Sequence, residues 1–335
     1  MNSRMTNTIR RSLMRGAGAL TVCAGAALVF ALPTQAADWP ERPLKLLVGF
    51  APGGSVDIVA RLLAEEMSKS LGQAVVVENR PGASTAIAVG ALTRSTPDGY
   101  TLMLLSSTNA IAPALSKAPS YRPLKDFSPI SIVAKGPIVI AVSQTSPLKT
   151  FKDVVEAAKA SPDKLNYGAG GNATSMHLAA LLLQKELGLS MVHVPYKGGS
   201  ETLTGLLSDQ IQLQFATPAS LASSVGTRVR AIAVTSPTRF PELPSTPTVA
   251  ELAVPGFDVS VWYMLAAPAG LPASVAARLN ATVKDALASP DLKKRLTAEG
   301  VVPSPSSVEQ AQKLMASEVP RWDAIVKGAN LASTD

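Results

Sequence analysis

The stretch VGFAPGGSVDIVARLLAEEM, from Val48 to Met67, combines the end of an apolar strand, a Pro-Gly-Gly turn and an amphipathic helix. Apolar residues at positions 56, 59, 60, 63 and 67 recur with helical spacing. A helix that begins directly after a glycine turn presents unpaired N–H groups and the positive end of its dipole. The stretch therefore predicts an anion-binding turn, and both phosphate and carboxylate remain open as the anion.

Strand-like and helix-like segments alternate on either side of this turn. The strand-like segments LKLLVGF, QAVVVEN and YTLMLLS are separated by glycine turns and helices, and a second block of this kind follows between residues 150 and 234. This order is typical of parallel strands joined by right-handed crossovers, so we predict an α/β fold.

Two long extended segments, FSPISIVAKGPIVIAVSQ and FDVSVWYMLAAPAG, connect the blocks. The second leads into helices predicted over residues 272–288, 290–299 and 307–328, which have no sheet of their own to cover. The simplest arrangement returns the chain to the first sheet. Two α/β domains joined by two crossing strands would then face a central cleft, where ligands tend to bind.

The first 36 residues have the pattern of a secretory signal peptide. Four arginines precede an apolar run over residues 16–32, and Thr34 and Ala36 supply small residues for a cut after Ala36. The arginines are Arg4, Arg10, Arg11 and Arg15. The pattern predicts export to the periplasm, by either the general or the twin-arginine route, with an uncleaved anchor as the alternative.

Composition excludes several classes of function. The predicted signal peptide contains four of the 31 basic residues and none of the 24 acidic ones, which leaves a net charge of +3 and disfavours nucleic acid as a partner. The single cysteine, Cys23, lies in the same segment, so no disulfide or thiol nucleophile is expected in the mature chain. His177 and His193 are too few for a histidine-rich metal site, and we predict neither metal nor cofactor.

Catalytic and nucleotide-binding motifs are weak or missing. GAGGNA, residues 168–173, matches GxGxxA, but the acidic residue expected at the end of the next strand is missing from residues 191–195. No P-loop and no GxSxG elbow occurs. Asp57 could act as a general base, although its place in the first helical turn favours a cap or a loop brace. The sequence therefore predicts no enzyme, with an exported hydrolase as a remaining alternative.

Five glycine- and hydroxyl-rich turns follow strand-like segments, at residues 52–57, 79–85, 106–109, 168–174 and 198–200. Each places backbone N–H groups and small polar side chains where a helix begins. One such turn is ordinary loop chemistry, but five at the same edge of α/β sheets indicate a binding site that can hold a carboxylate without any arginine.

Eight segments in one order make a family resemblance specific. They are FAPGGSVDIVARLLAEEM, VENRPGAST, KDFSPIS, KLNYGAGGNATSMHLAALLL, HVPYKGG, VRAIAVTS, PTVAEL and WYMLAAPAGLP. In this set the chain resembles the solute receptors of tripartite tricarboxylate transporters, the Bug-type periplasmic receptors. The resemblance implies a two-domain periplasmic binding protein of the Venus-flytrap, type II-like class. Domain 1 would comprise residues 37–136 and 263–335, and domain 2 residues 137–262.

The resemblance also implies a set of ligand-binding residues in loops of both domains. From domain 1 they are Pro52, Gly53, Gly54, Ser55, Val56, Asp57, Ser107, Thr108 and Asn109, and from domain 2 Gly171, Asn172, Thr174, Lys197, Gly198 and Ser200. Two positions depart from the family pattern, since Ala169 or Gly170 stands where a hydroxyl residue is usual and Ala216 stands where an aspartate is often found. They are expected to make the domain 2 wall less polar.

The implied function is a monomeric receptor that passes a small carboxylate to the membrane permease subunits of a transporter. A carboxylate-sensing receptor without a transport role is the alternative. Because the domain 2 wall is expected to be less polar, we predict that a linear or aromatic mono- or dicarboxylate binds better than aspartate, glutamate or citrate.

Overall fold

The computed structural model describes residues 39–170, 174–196, 198–221 and 223–328, in which eleven strands form two β-sheets. The strands are β1 (Leu44–Val48), β2 (Val75–Asn79), β3 (Thr101–Ser106), β4 (Phe127–Gly136), β5 (Val139–Ser143), β6 (Asn166–Ala169), β7 (Val192–Pro195), β8 (Leu213–Ala216), β9 (Val229–Val234), β10 (Val261–Pro268) and β11 (Val302–Pro303). The predicted signal peptide lies outside the described residues.

The helices follow the strands in the predicted alternation. They are α1 (Ser55–Leu71), α2 (Ala86–Thr93), α3 (Thr108–Leu115), α4 (Pro123–Asp126), α5 (Phe151–Ala160), α6 (Ser175–Leu187), α7 (Gly199–Leu207), α8 (Pro218–Leu221), α9 (Val249–Leu252), α10 (Ala273–Ala288), α11 (Pro290–Ala298) and α12 (Val308–Gly328). Within the described ranges, none of these helices has the length and apolar character needed to cross a bilayer.

The first sheet has the strand order β11-β4-β10-β3-β1-β2. Strand β1 pairs in parallel with β2 and β3, whereas β10 runs antiparallel to both β3 and β4. Four of the five β1 residues are at most 1% exposed, as expected for a strand covered by helices on both faces. Helix α1 covers one face with Val59, Ala60, Leu63 and Met67, which confirms the helical spacing seen in the sequence.

The second sheet has the order β7-β6-β8-β5-β9, with β6 parallel to β7 and β8 and with β5 antiparallel to β8 and β9. Helix α5, which precedes β6 in the chain, begins with a capping box. The Asp153 N–H donates to Thr150 Oγ1 at 3.1 Å, and the Thr150 N–H donates to the Asp153 carboxylate at 2.9 Å.

The chain passes between the sheets twice. Residues 137 and 138 separate β4 of the first sheet from β5 of the second, and the segment between β9 and β10 brings the chain back. Helices α10 and α12 then pack against β4, so the terminal helices cover the first sheet as expected. The predicted fold class is thereby confirmed. Residues from Arg42 onward cluster as one compact unit, and the domain boundaries within it stay a prediction.

Candidate ligand-binding loops

The loop after β1 is held in place by a buried carboxylate. Gly53 has φ +82°, a conformation that favours glycine, and its N–H donates to Asp57 Oδ2 at 2.9 Å. Asn79 Nδ2 donates to Asp57 Oδ1 at 2.8 Å and to the Phe50 carbonyl at 3.0 Å, and Arg61 Nε donates to Asp57 Oδ2 at 3.0 Å. The Asp57 side chain is therefore engaged by the loop itself.

The surroundings of Asp57 keep it ionised. Burial alone would raise the pKa of this carboxyl group, but hydrogen bonds from Arg61, the Gly53 N–H and Asn79 outweigh burial and hold the pKa below its ordinary value. An ionised, fully hydrogen-bonded carboxylate at 3% residue exposure is a loop brace. Asp57, which the sequence grouped with the ligand-binding residues, thus has a side chain that supports the loop from behind.

The groups of this loop that remain available are backbone donors and one hydroxyl. Helix α1 begins at Ser55, and its first backbone hydrogen bond runs from the Ile58 N–H to the Gly54 carbonyl. The N–H groups of Ser55, Val56 and Asp57 precede that bond, so no carbonyl of the first helical turn satisfies them. Residues 52–54 are exposed and Ser55 is half-buried.

The loop after β2 contains three consecutive non-glycine residues with positive φ, Ala83 at 46°, Ser84 at 49° and Thr85 at 80°. Such residues cost about 1–3 kcal/mol each and persist where their surroundings hold them. Thr85 is held on two sides: a Cβ added to Gly49 would lie 2.8 Å from the Thr85 Cβ, and Asn109 Nδ2 donates to Thr85 Oγ1 at 2.9 Å. The loops after β1 and β2 therefore pack without space between them.

Asn109, the second residue of α3 directly after β3, is fully buried and holds this assembly together. Its Oδ1 accepts from the Ser106 N–H at 2.9 Å, its Nδ2 bonds Thr85, and its carbonyl accepts from the Tyr121 hydroxyl at 3.2 Å. Asn109 was predicted to form part of the ligand-facing wall. Because both polar ends of its side chain are engaged by the protein, it braces that wall from inside, while its neighbour Thr108 is half-buried.

The loops of the two sheets meet at a pair of serines. Ser107 Oγ lies 2.6 Å from Ser175 Oγ, and both residues are at most 3% exposed. Ser107 follows β3 of the first sheet and Ser175 is the first residue of α6 after β6 of the second. The edges that carry the carboxyl ends of the parallel strands therefore face each other and touch at this point.

The second sheet contributes two further helix starts. Thr174 caps α6 by accepting from the His177 N–H at 3.4 Å. Gly198 caps α7, and Ser200 in its first turn is exposed. The predicted residues Gly171, Asn172 and Lys197 lie outside the described residues.

Ala169 and Ala216, the two positions that depart from the family pattern, are both buried. Ala169 is 0% exposed, and its carbonyl accepts from Thr202 Oγ1 at 3.3 Å. Ala216 is 3% exposed and packs in an apolar cluster with Val139 and Phe240. Both alanines end strands of the second sheet. Their place in the ligand wall, and the argument that they reduce its polarity, stay predictions.

The two histidines, His177 on α6 and His193 on β7, stack on each other. The His177 and His193 rings lie 4.0 Å apart at an interplanar angle of 16°, beside Tyr167. Burial, and then the charge of His193, lower the pKa of His177 to about 4, and burial lowers the pKa of His193. Neutral, stacked and partly buried rings indicate a structural role for both histidines. Within the described ranges, no three His, Cys, Asp or Glu side chains group closely enough to hold a metal ion.

A cavity of about 250 Å³ lies beside the two crossing segments, and none of the predicted ligand-binding residues lines it. Lys135, Trp262 and Arg321 are among its walls. Glu318 also lines it and accepts from the indole N–H groups of Trp262 at 3.1 Å and Trp322 at 2.9 Å. The bond from Trp262 ties α12 to the start of β10, so the cavity belongs to the connection between the sheets.

Sequence reasoning missed two residues of this region. Ser175 stands next to the predicted Thr174, and a search for hydroxyls at the first helical position would have found it. Tyr263 on β10 is 3% exposed, and its hydroxyl is close enough to the Ser55 side chain for a hydrogen bond between them to influence its pKa. No local pattern signals Tyr263, because only the sheet topology brings it to Ser55.

Comparison with known proteins gives a consistent result. The family model described as the tripartite tricarboxylate transporter family receptor matches residues 59–331. BugT of Bordetella pertussis is 34% identical over 306 residues, which cover 90% of this chain and 94% of that protein. The solved structure of the periplasmic binding protein BugD is 34% identical with a TM-score of 0.76, covering 88% of this chain and 99% of that one.

Two further solved structures hold a ligand. An R. palustris protein with adipate is 31% identical, with a TM-score of 0.79 and coverage of 88% of this chain and 99% of that one. MatC of Rhodopseudomonas palustris, with bound malate, is 32% identical, with a TM-score of 0.75 and coverage of 86% and 100%. The family model matches most of the chain, and these solved relatives have the same overall fold. The chain therefore belongs to the tripartite tricarboxylate transporter receptor family, whose solved members include periplasmic binding proteins.

Proposed function

We propose that this protein is an exported, non-enzymatic receptor that binds a small dicarboxylate and passes it to the permease subunits of a tripartite tricarboxylate transporter. The observation that carries the proposal is the meeting of two loop edges at Ser107 and Ser175. Helices α1 and α3 begin at one edge, and α6 and α7 begin at the other. Each edge therefore offers N–H donors to an anion from its own side.

This arrangement suits a ligand with a carboxylate at each end. One carboxylate would lie on the α1 turn at residues 52–56, and the second would lie near the starts of α6 and α7, at Thr174 and Gly198. Backbone N–H groups and hydroxyls donate hydrogen bonds without adding a positive charge, so they recognise carboxylate oxygens by geometry. The adipate and malate held by two related proteins support this ligand class.

Ligand capture would proceed by closure of two domains about the crossing segments. We assign domain 1 to residues 37–136 and 263–335 and domain 2 to residues 137–262, as the sequence predicts. Closure of hinged domains around a ligand expels water and strengthens the hydrogen bonds between them. The protein would act in the periplasm as a monomer after a cut near Ala36.

The decisive experiment is a binding screen of the mature protein, residues 37–335, by thermal shift and then calorimetry. Adipate, malate, terephthalate, benzoate, glutamate and citrate form the panel. A ligand at 100 times its Kd should stabilise the protein by about 2.7 kcal/mol. Binding of at least one dicarboxylate supports the proposal, and failure of every acid to bind contradicts it.

Two controls separate receptor from enzyme and set the ligand class. The bound acid should be recovered unchanged and in stoichiometric amount after prolonged incubation, whereas conversion into a product contradicts a receptor. Tightest binding by the monocarboxylate benzoate would contradict the two-ended site while leaving a carboxylate receptor in place.

A further inference from the structure

The cavity beside the crossing segments is separate from the candidate ligand-binding loops, and its volume is about 250 Å³. An engineered apolar cavity of about 150 Å³ takes up benzene, so this one has room for a ligand with an aromatic ring. Its walls include residues 136–137 of the first crossing, the loop 236–241 after β9, the start of β10 and part of α12. An occupant would therefore contact both connections between the sheets.

One wall of the cavity carries a lysine without an acidic partner. Lys135 on β4 is directly opposite Trp262 of β10 and Val302 of β11, so the three side chains project from the same face of the first sheet. All three line the cavity, and Lys135 is half-buried. Among the described residues, none forms an ion pair or a hydrogen bond with its ammonium group.

A carboxylate without a cationic partner lies on another wall. Asp258, three residues before β10, is half-buried, and its Oδ1 accepts from the Ser260 hydroxyl at 2.7 Å. Arg321 donates to the carbonyl of Asp258, and in the described part of the chain no cation pairs with the carboxylate itself. Because a carboxylate has about four acceptor sites, Asp258 retains capacity for an ammonium donor.

The other charged side chains of the cavity are already engaged within the protein. Glu318 accepts from Arg321 Nη1 at 3.0 Å and from the indole N–H groups of two tryptophans. Arg239 donates from both Nε and Nη2 to Glu251, at distances down to 2.6 Å. Each of these ion pairs is neutral as a whole, so the lysine and the aspartate decide which charges a ligand should carry.

We propose that this cavity is a second ligand site, which takes a small zwitterionic amino acid with an aromatic side chain. The ligand carboxylate would pair with Lys135 and its ammonium group with Asp258. The ring would lie against Trp262, Phe240 and Leu314, where aromatic side chains favour an aromatic partner. A simple anion would leave the aspartate unpaired and a simple cation would leave the lysine unpaired, so a zwitterion fits the walls best.

The first test compares three probes that share one ring, by calorimetry on the mature protein, residues 37–335. They are L-phenylalanine, 3-phenylpropionate, which lacks the ammonium group, and 2-phenylethylamine, which lacks the carboxylate. Since a hydrogen bond to a charged group contributes about 1.5–3 kcal/mol, L-phenylalanine should bind at least tenfold more tightly than either relative. Failure of L-phenylalanine to bind, or equal binding of the three probes, overturns the proposal without any variant.

Two substitutions then test each charge separately. Lys135→Met keeps an apolar stem and should weaken L-phenylalanine and 3-phenylpropionate about tenfold, without weakening 2-phenylethylamine. Asp258→Asn should weaken L-phenylalanine and 2-phenylethylamine, without weakening 3-phenylpropionate. Lys164→Met, which removes an exposed lysine outside the cavity, is the matched control and should bind all three probes as wild type does. Equal loss of every probe in either cavity variant would contradict the charge assignment.

A third comparison separates this cavity from the proposed carboxylate site on the α1 turn. Gly54→Val should bind L-phenylalanine as tightly as wild type, and Lys135→Met should bind adipate or malate as tightly as wild type. If Gly54→Val loses L-phenylalanine while Lys135→Met retains it, the amino acid occupies the loops and the proposal is wrong. The dicarboxylate panel judges the receptor function independently, and far-ultraviolet circular dichroism verifies that each variant is folded.

Discussion

The hydrogen bond between Ser107 and Ser175 should favour the closed arrangement specifically. Both hydroxyls are nearly inaccessible to water where the two loop edges meet, and their oxygens are 2.6 Å apart. Ser175→Ala leaves the Ser107 hydroxyl buried without this partner as long as the edges touch. When the edges separate, both positions reach water and the substitution costs nothing there. The change therefore acts on closure alone.

The magnitude follows from the cost of an unsatisfied buried hydroxyl, about 1–2 kcal/mol. In the proposed mechanism ligand binding draws on closure, so this cost should appear in full in the binding free energy. Since about 1.4 kcal/mol corresponds to a tenfold change, Ser175→Ala should weaken ligand affinity by roughly five- to thirtyfold. Without ligand, the free energy of unfolding should fall by no more than this cost of the unsatisfied Ser107 hydroxyl, because α6 keeps its Thr174 cap.

Calorimetry measures the affinity, and energy transfer between two dyes measures closure. Because the single cysteine lies in the predicted signal peptide, cysteines introduced at the exposed positions Lys159 and Lys284 give unique labelling sites. Ser143→Ala is the matched control. It removes the Ser143 hydroxyl, whose oxygen lies 3.0 Å from Thr145 Oγ1 at the end of β5, and it should leave ligand affinity unchanged. Affinity of Ser175→Ala within twofold of wild type, with unchanged energy transfer, would refute the reasoning.

Three further predictions concern the loops and the histidine pair. Gly54→Val should keep the fold, because Gly54 has φ −79° and an added Cβ meets only the Ala51 carbonyl at 3.6 Å. Its free energy of unfolding, measured with denaturant, should stay within about 1 kcal/mol of wild type. The affinity of this variant for the acid should nevertheless fall at least tenfold. Asp57→Asn should lower the unfolding free energy by about 1–3 kcal/mol, because it removes a charged acceptor from a buried set of hydrogen bonds; unchanged stability contradicts the bracing role. The folded-state pKa of His177, about 4, is below the ordinary value of 6.5. As the pH falls between these values, the unfolded chain binds a proton before the folded protein does, so the free energy of unfolding should decrease. The expected loss is about 2 kcal/mol after allowance for solvent screening of a half-buried ring. Melting curves from pH 4 to 8 test this, and His177→Leu should flatten the dependence.

The regular elements could be predicted because their signals are local. The apolar spacing from residue 56 to 67 and the Thr150–Asp153 box each lie within a few turns of the chain, and the structure confirms them. Helix α3 was not predicted. Its sequence, TNAIAPAL, begins with two poor helix formers and contains Pro113, so propensity alone favours a loop. Its packing against α12, nearly two hundred residues later in the chain, compensates for that weakness.

The roles of polar residues at strand ends could be predicted only in part. Asp57 and Asn109 have the residue types and positions expected of ligand-binding groups, and the sequence offers no way to tell which way each side chain turns. The structure turns both inward, where they hold the loops that present the available donors. Ala216 raises a related question, since a strand end next to a ligand loop can also pack in an apolar cluster, and its place in the ligand wall stays a prediction.

The start of β10 links the elements on which the function depends. The Trp262 carbonyl accepts from the Ser107 N–H at 3.2 Å, and the Trp262 indole donates to Glu318 on α12. The next residue, Tyr263, lies opposite Ser106 at the end of β3. Two consecutive residues of a crossing strand thus contact β3, the serine that bridges the two loop edges, and the terminal helix. A rotation of the sheets about this strand would change these contacts together, so in the proposed mechanism closure would act directly on the loops that hold the ligand.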